Sequence, residues 1–527
     1  IVFGDWSSDV CSSDLGIAML ASFLRRRGRD ARLLDLNQES VEYLAGLDEH
    51  GEGAADAWTR GALRRRASSI AVLRDPGNYR YKGAGRDRYD RAVRDLGRAF
   101  KALSAPHGTA VSLTDYSEPS RSPLRRADLL DAARHFDGSV YYPLFLRRID
   151  EELAPGGGSA DSGSADSGSA DDGVVGLSLC YLSQALPAFA ILGYLRARHP
   201  GLRILVGGGL VNSWFGQGIL NQGDTFDGLV DAFLPGRGEE SLSACLPRLG
   251  TDRARACPDF SGLEPGRYLS PGVVIPYAFS SGCPWRRCTF CPEKAEGLPY
   301  RGTPAGRAMG DLAELAALYK PALFHFTDNE VAPLYLRALA ESGPGLPWYG
   351  FARFSARLLD PGFCRSLAAS GCAMLQLGLE SGDQRVLDAM DKGTRLEDID
   401  RILENLAAAG IRSYLYVLFG TAAEDEGAAR RTAVFLRERA PLVTFLNVAV
   451  FNMPRSSPEA QLYGRGGFYE GELGFYVDFD HPGGWQRGRV REFIAREIEG
   501  DAGIRTILRR TPAVFSSNHA AFLTRPC

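Results

Sequence analysis

Short apolar runs alternate with amphipathic stretches along most of this chain, and the order of the two predicts its architecture. From about residue 275, the runs Leu323-Phe324-His325-Phe326, Met374-Leu375-Gln376-Leu377-Gly378-Leu379 and Tyr414-Leu415-Tyr416-Val417-Leu418-Phe419-Gly420 are separated by stretches with apolar residues three and four apart. The runs suit strands buried on both faces, and the stretches between them suit helices lying on one face. Repeated strand-helix units predict a parallel sheet or barrel, which carries its chemistry at the C-terminal ends of its strands. The polar residues at those ends are Asp328, Asn329 and Glu330, then Arg353, then Glu380-Ser381-Gly382.

A second block of the same kind lies upstream. Gly173 to Leu179 reads as a buried strand, Gln184 to Arg198 as a helix, and Arg203-Ile204-Leu205-Val206 as a strand that exits into Gly207-Gly208-Gly209. Val230 to Leu234 then leads into Pro235-Gly236-Arg237-Gly238. Glycine-rich exits let backbone amides approach a ligand, and tight turns use them as well. Between these strands and an expected earlier strand at residues 31–37 lies an insertion. Its first half interleaves Arg64, Arg65, Arg66, Arg74, Arg86, Arg88, Arg91, Arg94 and Arg98 with Tyr79, Tyr81 and Tyr89. Leu and Ala at helical spacing between these charges predict the wet face of a helical insert, so a nucleic-acid partner is not expected. The insertion ends in tandem Gly-Ser-Ala-Asp units that cannot bury a core and read as a linker.

Composition narrows the class without naming it. At 527 residues, 45% hydrophobic and with a net charge of −3, the chain can fill two or more cores. No apolar run approaches the roughly 18 residues of a membrane span, and ten cysteines without even spacing predict a reduced, cytoplasmic protein.

The densest chemical signal is Ser281-Gly282-Cys283-Pro284-Trp285-Arg286-Arg287-Cys288-Thr289-Phe290-Cys291. Three closely spaced thiolates can hold an iron-sulfur cubane and leave one iron open, whereas an electron carrier normally supplies four cysteines. A structural zinc site wants a fourth Cys or His at finger spacing, and the next candidate, His325, lies well down the chain. Asp48-Glu49-His50-Gly51-Glu52-Gly53 matches an Asp-x-His-x-x-Gly pattern for a lower-axial cobalt ligand, but it falls after the second expected strand rather than the first, so no role is assigned to His50.

The Cys283, Cys288, Cys291 loop, with Phe290 before the last cysteine, resembles the cluster-binding loop of the radical S-adenosylmethionine (radical SAM) enzymes. It departs from the commonest family pattern by having four residues, not three, between the first two cysteines. The stretch from Trp348 to Gly393 resembles that family's third and fourth strands, and the glycine-exit block upstream is similar to the cobalamin-binding domain of one branch. The resemblance implies an α/β fold with an N-terminal doubly wound, Rossmann-like cobalamin-binding domain followed by a partial TIM-type barrel. It implies a 4Fe-4S cluster on Cys283, Cys288 and Cys291, S-adenosylmethionine contacted by Phe290, Asp328, Glu380 and Ser381, and cobalamin near Gly207, Gly208, Gly209, Gly236 and Gly238.

The expected layout is a set-aside segment at 1–15, similar to translated sequencing-adapter read-through, then a cobalamin-type domain at 16–250. That domain carries the helical insertion at 45–156 and the linker at 157–172. The barrel follows at 270–455 and a cap or substrate region, with Trp485, Arg487, Asn518 and His519, at 456–527. The implied activity is cleavage of S-adenosylmethionine to a deoxyadenosyl radical, with C-methylation of a small-molecule or peptide substrate and an electron donor such as flavodoxin or ferredoxin. The alternatives are a cobalamin-free radical enzyme performing cyclisation or rearrangement, and a non-catalytic iron-sulfur or nucleic-acid-binding protein. No catalytic side chain is singled out.

Overall fold

The computed structural model describes residues 12–47, 56–79, 84–154, 173–246, 256–467 and 470–512. His50, Asn518, His519 and the linker at 157–172 lie outside them. The chain divides into two compact units, one of Ile1–Arg74, Arg88–Leu269 and Glu470–Leu473, the other of Asp75–Asp87, Ser270–Tyr469 and Gly474–Cys527.

In the first unit, strands β1 (Val174–Ser178), β2 (Arg203–Gly207) and β3 (Ala232–Leu234) form a parallel three-stranded sheet in sequential order. The helix Ala185–Arg198 crosses from β1 to β2 and is buried from Ala185 to Leu195. Gly193 makes that burial possible, because a Cβ there would run into the backbone of Ala133 on the helix Arg126–Arg134. The expected strand at 31–37 is not formed. Asp35 instead caps the helix Leu36–Gly46, its carboxylate accepting from the amides of Asn37 (3.0 Å) and Gln38 (3.1 Å). A buried side-chain cap that satisfies two orphan amides outweighs the local strand preference of Leu33-Leu34. Helices Ala57–Arg74, Ala84–Ser104, Arg126–Arg134 and Tyr142–Leu153 occupy the expected insertion.

In the second unit, β4 (Val274–Tyr277), β5 (Leu323–Phe326), β6 (Trp348–Ala352), β7 (Cys372–Glu380), β8 (Arg412–Phe419) and β9 (Phe445–Val450) form one six-stranded parallel sheet in sequential order. Helices link successive strands, as the alternating pattern requires. Leu396–Ala408 shows why: Ile399, Ile402, Leu403 and Leu406 recur on one helical face and are buried. Asp360, Asp383 and Asp425 cap the starts of three such helices. On the sheet's other face, Val274, Leu323, Tyr349, Met374, Tyr414 and Phe445 pack as one buried layer contributed by all six strands. Among the described residues no helix is long and apolar enough to cross a membrane.

Candidate functional site

The cysteine loop leaves the C-terminal end of β4 and is tied down before its first cysteine. Asp328, just past β5 and 3% exposed, accepts from the Phe279 amide (2.9 Å), the Ser280 amide (2.8 Å) and the Ser280 hydroxyl (2.6 Å). Its carboxylate therefore anchors the start of the loop. Gly282 turns the chain at φ +72, and a Cβ there would lie 2.9 Å from the Pro299 carbonyl oxygen. Farther along, the Thr289 amide donates to the Met390 carbonyl (3.0 Å), and Phe290 packs on Val386, Met390 and Ala428.

Cys283, Cys288 and Cys291 are all free thiols. Burial pushes the Cys291 thiol up to about 11, opposed by the amides of Lys294 and Glu293 and reinforced by the other two cysteines. Burial also raises Cys288, while Lys392 and Arg353 pull it back. The three sulfurs thus feel one another, yet they do not form a group with all ligand atoms within 4.8 Å of one another. The donor set fits an iron-sulfur cluster: soft thiolates, with two fixed cations beside the most buried of them.

One cation follows a neighbouring strand and the other lies in the loop after the helix Gln384–Ala389. Arg353 follows β6 and places a guanidinium nitrogen 4.0 Å from Cys288 Sγ, stacks over Trp285 at 4.2 Å, and donates to the Lys392 carbonyl. Trp285 in turn donates its indole N–H to the Asp391 carbonyl at 2.8 Å. Gly393 lies so close beneath this ring that a Cβ would strike it. Lys392 pairs with Glu380 at 2.7 Å, both side chains being about nine-tenths buried. Glu380 ends β7 across an irregularity in register and holds φ +64, a conformation side chains rarely adopt. Glu330, buried and raised by that burial, faces Arg353 at 3.9 Å.

The structure therefore gathers Cys283, Cys288, Cys291, Phe290 and Glu380 in one place, with Asp328 behind them as an anchor. Ser381 is also behind, at 0% exposure: its hydroxyl meets Thr432 Oγ1 (3.2 Å) and accepts from the Asp383 amide (3.2 Å), which leaves it bracing the strand end. Lys392 and Trp285 were not singled out from the sequence. The spacing of Lys392 from Glu380 follows no helical or strand period, and only the positive-φ positions Asp391 and Gly393 around it hint at a special turn.

Among the candidate glycines of the first unit, Gly208 is the one set by backbone packing. Gly208, at φ +109, lies against the backbone of Leu179 where no Cβ fits. Gly207 ends β2 and accepts from the Leu179 amide (2.7 Å), and Gly209 starts the helix Gly209–Gly216. Gly236, at φ +84, donates to Asn212 Oδ1 (2.6 Å), and a Cβ on Gly238 would lie 3.0 Å from Leu20 Cδ2. Trp485 is buried and donates to Glu424 (3.0 Å), and Arg487 donates to the Phe451 carbonyl (3.0 Å) and Asn452 (2.7 Å).

Residues 277–431 match the family model of the radical SAM superfamily. A bacteriochlorophyllide d C-12(1)-methyltransferase from Chlorobaculum tepidum is 28% identical over 189 residues, 34% of this chain and 41% of that protein. This chain thus spans under half the length of that relative. Two solved structures are similar at lower identity. The cobalamin-dependent S-adenosylmethionine radical enzyme OxsB with aqua-cobalamin has 14% identity and a TM-score of 0.48, over 62% of this chain and 58% of that one. The radical S-adenosylmethionine methyltransferase TsrM from Kitasatospora setae, with cobalamin and a [4Fe-4S] cluster, has 16% identity and a TM-score of 0.42, over 60% and 73%. The thiol loop at the end of β4, its cationic surround and the family match agree: residues 277–431 of this chain are a radical SAM enzyme domain, of the kind that holds a 4Fe-4S cluster and S-adenosylmethionine.

Proposed function

We propose that this protein uses Cys283, Cys288 and Cys291 to hold a four-iron cluster whose open iron receives S-adenosylmethionine, and that it transfers a methyl group to carbon with the help of cobalamin. The observation that carries the radical part is the placement of the three thiols beside Arg353 and Lys392 at the C-terminal end of the sheet. When bound, the cluster and its ligand supply a one-electron cleavage that yields a deoxyadenosyl radical. The chain's own contribution is positioning and charge. Asp328 fixes the start of the loop, Arg353 and Lys392 offset the negative charge of the thiolates, and Glu380 offers a carboxylate to the amino group of S-adenosylmethionine. Trp285 and Phe290 cover the loop on its protein side. The electron comes from a small donor such as flavodoxin or ferredoxin.

The likeness to a methyltransferase supports methyl transfer. A second reading is a radical enzyme working without cobalamin, and it draws support from Gly208, whose place against the Leu179 backbone is a packing requirement. Anaerobic reconstitution separates the two readings. Deoxyadenosine formation, with corrinoid retained through gel filtration, supports the first; cleavage without corrinoid supports the second. A full cluster with no cleavage, even when candidate substrates are added, contradicts both.

A further inference from the structure

Four residues separate Cys283 from Cys288. Chain between two ligands must be held if both are to stand ready together, because each unfixed residue carries conformational freedom that binding has to remove. The holding comes from the turn at residues 390–393, where three consecutive carbonyls are taken up. That of Met390 accepts from the Thr289 amide (3.0 Å), that of Asp391 from the Trp285 indole (2.8 Å), and that of Lys392 from Arg353. Trp285 comes before Cys288 and Thr289 directly after it, so the cysteine hangs between two hooks on adjacent carbonyls.

Loop and turn are shaped for each other. Arg286 in the loop holds φ +49 and Asp391 in the turn φ +50, both in the left-handed region that side chains rarely adopt. A Cβ on Gly393 would lie 2.4 Å from Trp285 Cζ2, so the indole has a seat that only glycine leaves open. The Arg353 guanidinium lies 4.2 Å from the ring centroid and that of Arg287 4.9 Å. Arg287 also pairs with the Asp391 carboxylate at 2.9 Å, but those side chains are 60% and 39% exposed, and a pair so wet contributes little. The weight of the tie therefore falls on the indole and its seat, and Cys288, only 8% exposed, is the thiol it fixes.

We propose that Trp285 is a positioning residue that sets the gap between the first two cysteines: seated on Gly393 and hooked to the Asp391 carbonyl, it fixes Cys288 beside Arg353 before any cluster is bound. The proposal rests on the radical SAM reading for the use made of Cys288; the fixing itself belongs to the cluster-free chain. Ligands already in place bind without the cost of ordering their loop. Loss of the hook should therefore show first in the protection of the thiol and then in the retention of iron.

Thiol accessibility in the full-length protein makes the test. The reduced, cluster-free chain is treated anaerobically with iodoacetamide, and alkylation of each cysteine is followed by mass spectrometry. Trp285→Phe, which keeps a ring over Gly393 and lacks the N–H, should speed alkylation of Cys288 about two- to tenfold, the range of one neutral hydrogen bond. Trp285→Ala should exceed that, and Gly393→Ala, which pushes the ring from its seat, should match Trp285→Ala. Cys372, buried at the opposite end of β7 from Glu380, should keep its wild-type rate in all three. After reconstitution, iron release to a ferrous chelator should quicken in the same order. An unchanged Cys288 rate in Trp285→Ala overturns the proposal. So does a parallel rise at Cys288 and Cys372, which would report general loosening. Deoxyadenosine formation is assayed on the reconstituted proteins. Protection of Cys288 that depends on Trp285, in a wild type that takes up no cluster or performs no cleavage, would sink the radical function and leave the positioning standing.

Discussion

Glu380 ends a parallel strand and Gly208 follows one, both at positive φ, and they do so for opposite reasons. At Gly208 the backbone of Leu179 leaves no room for a side chain, so φ +109 is a packing requirement that glycine meets without strain. At Glu380 a full side chain is held at φ +64, paired with a buried lysine, next to three free thiols. The same contrast runs through the two units. In the first, Gly208 is held by close contact and Asp35 by the helix amides it caps. In the second, Cys288, Glu330 and Glu380 sit in arrangements that packing alone does not require. Backbone strain and a buried ion pair beside free thiols mark where function has a claim on the structure.

Five substitutions would break or sharpen this contrast. The largest effect is expected from Cys288→Ala, which should abolish cluster retention and deoxyadenosine formation together, read by iron content and product analysis. Lys392→Met should follow. It leaves Glu380 without its partner in a nearly dry site and should cost about 3 to 5 kcal/mol in urea unfolding at pH 7, with a loss of cleavage.

Next are Gly208→Ala and Glu424→Gln, of comparable size. Gly208→Ala should cost about 3 kcal/mol whether or not corrinoid is present. A loss of corrinoid binding with unchanged stability would instead make that glycine a ligand contact and weaken the contrast. Glu424, past the end of β8, is raised by burial to about 7 despite accepting from the Gly420 amide and Trp485. The folded state therefore holds a proton that the unfolded chain releases near pH 4.5, so stability falls as pH rises from about 4.5 through 7. The penalty should approach roughly 3 kcal/mol above that range. Comparing unfolding free energies at pH 5 and pH 8, Glu424→Gln should lack this decline.

Much of the second unit was legible in the sequence because its signals are local. Leu323–Phe326 was expected as a strand and is one, and Cys283, Cys288 and Cys291 declare their chemistry by proximity in the chain. Gln184–Arg198 likewise differs from the observed helix only at its first residue. What stayed hidden depends on distant partners. The use of Asp328 as an anchor needs residues 279 and 280 to return beside it, and Ser381 is turned inward by Thr432, a residue on a later helix. Residues 31–37 misled because Leu33-Leu34 looks like strand until Asp35 is seen capping the next helix. His325 reads from its own segment only as a remote zinc ligand, since its stacking on Tyr349 needs the neighbouring strand.

The smallest of the expected effects is Asp328→Asn, which sets an amide against the Phe279 N–H. It should cost about 2 kcal/mol and loosen the cysteine loop, lowering iron retention without removing any ligand.

The central claim is that three thiols leave one iron open for S-adenosylmethionine. Electron paramagnetic resonance of the reduced, reconstituted protein tests it most directly. The account predicts about four irons per chain and a reduced-cluster signal whose g-values change when S-adenosylmethionine is added. A signal indifferent to S-adenosylmethionine, or a protein that takes up zinc in place of iron, would contradict it.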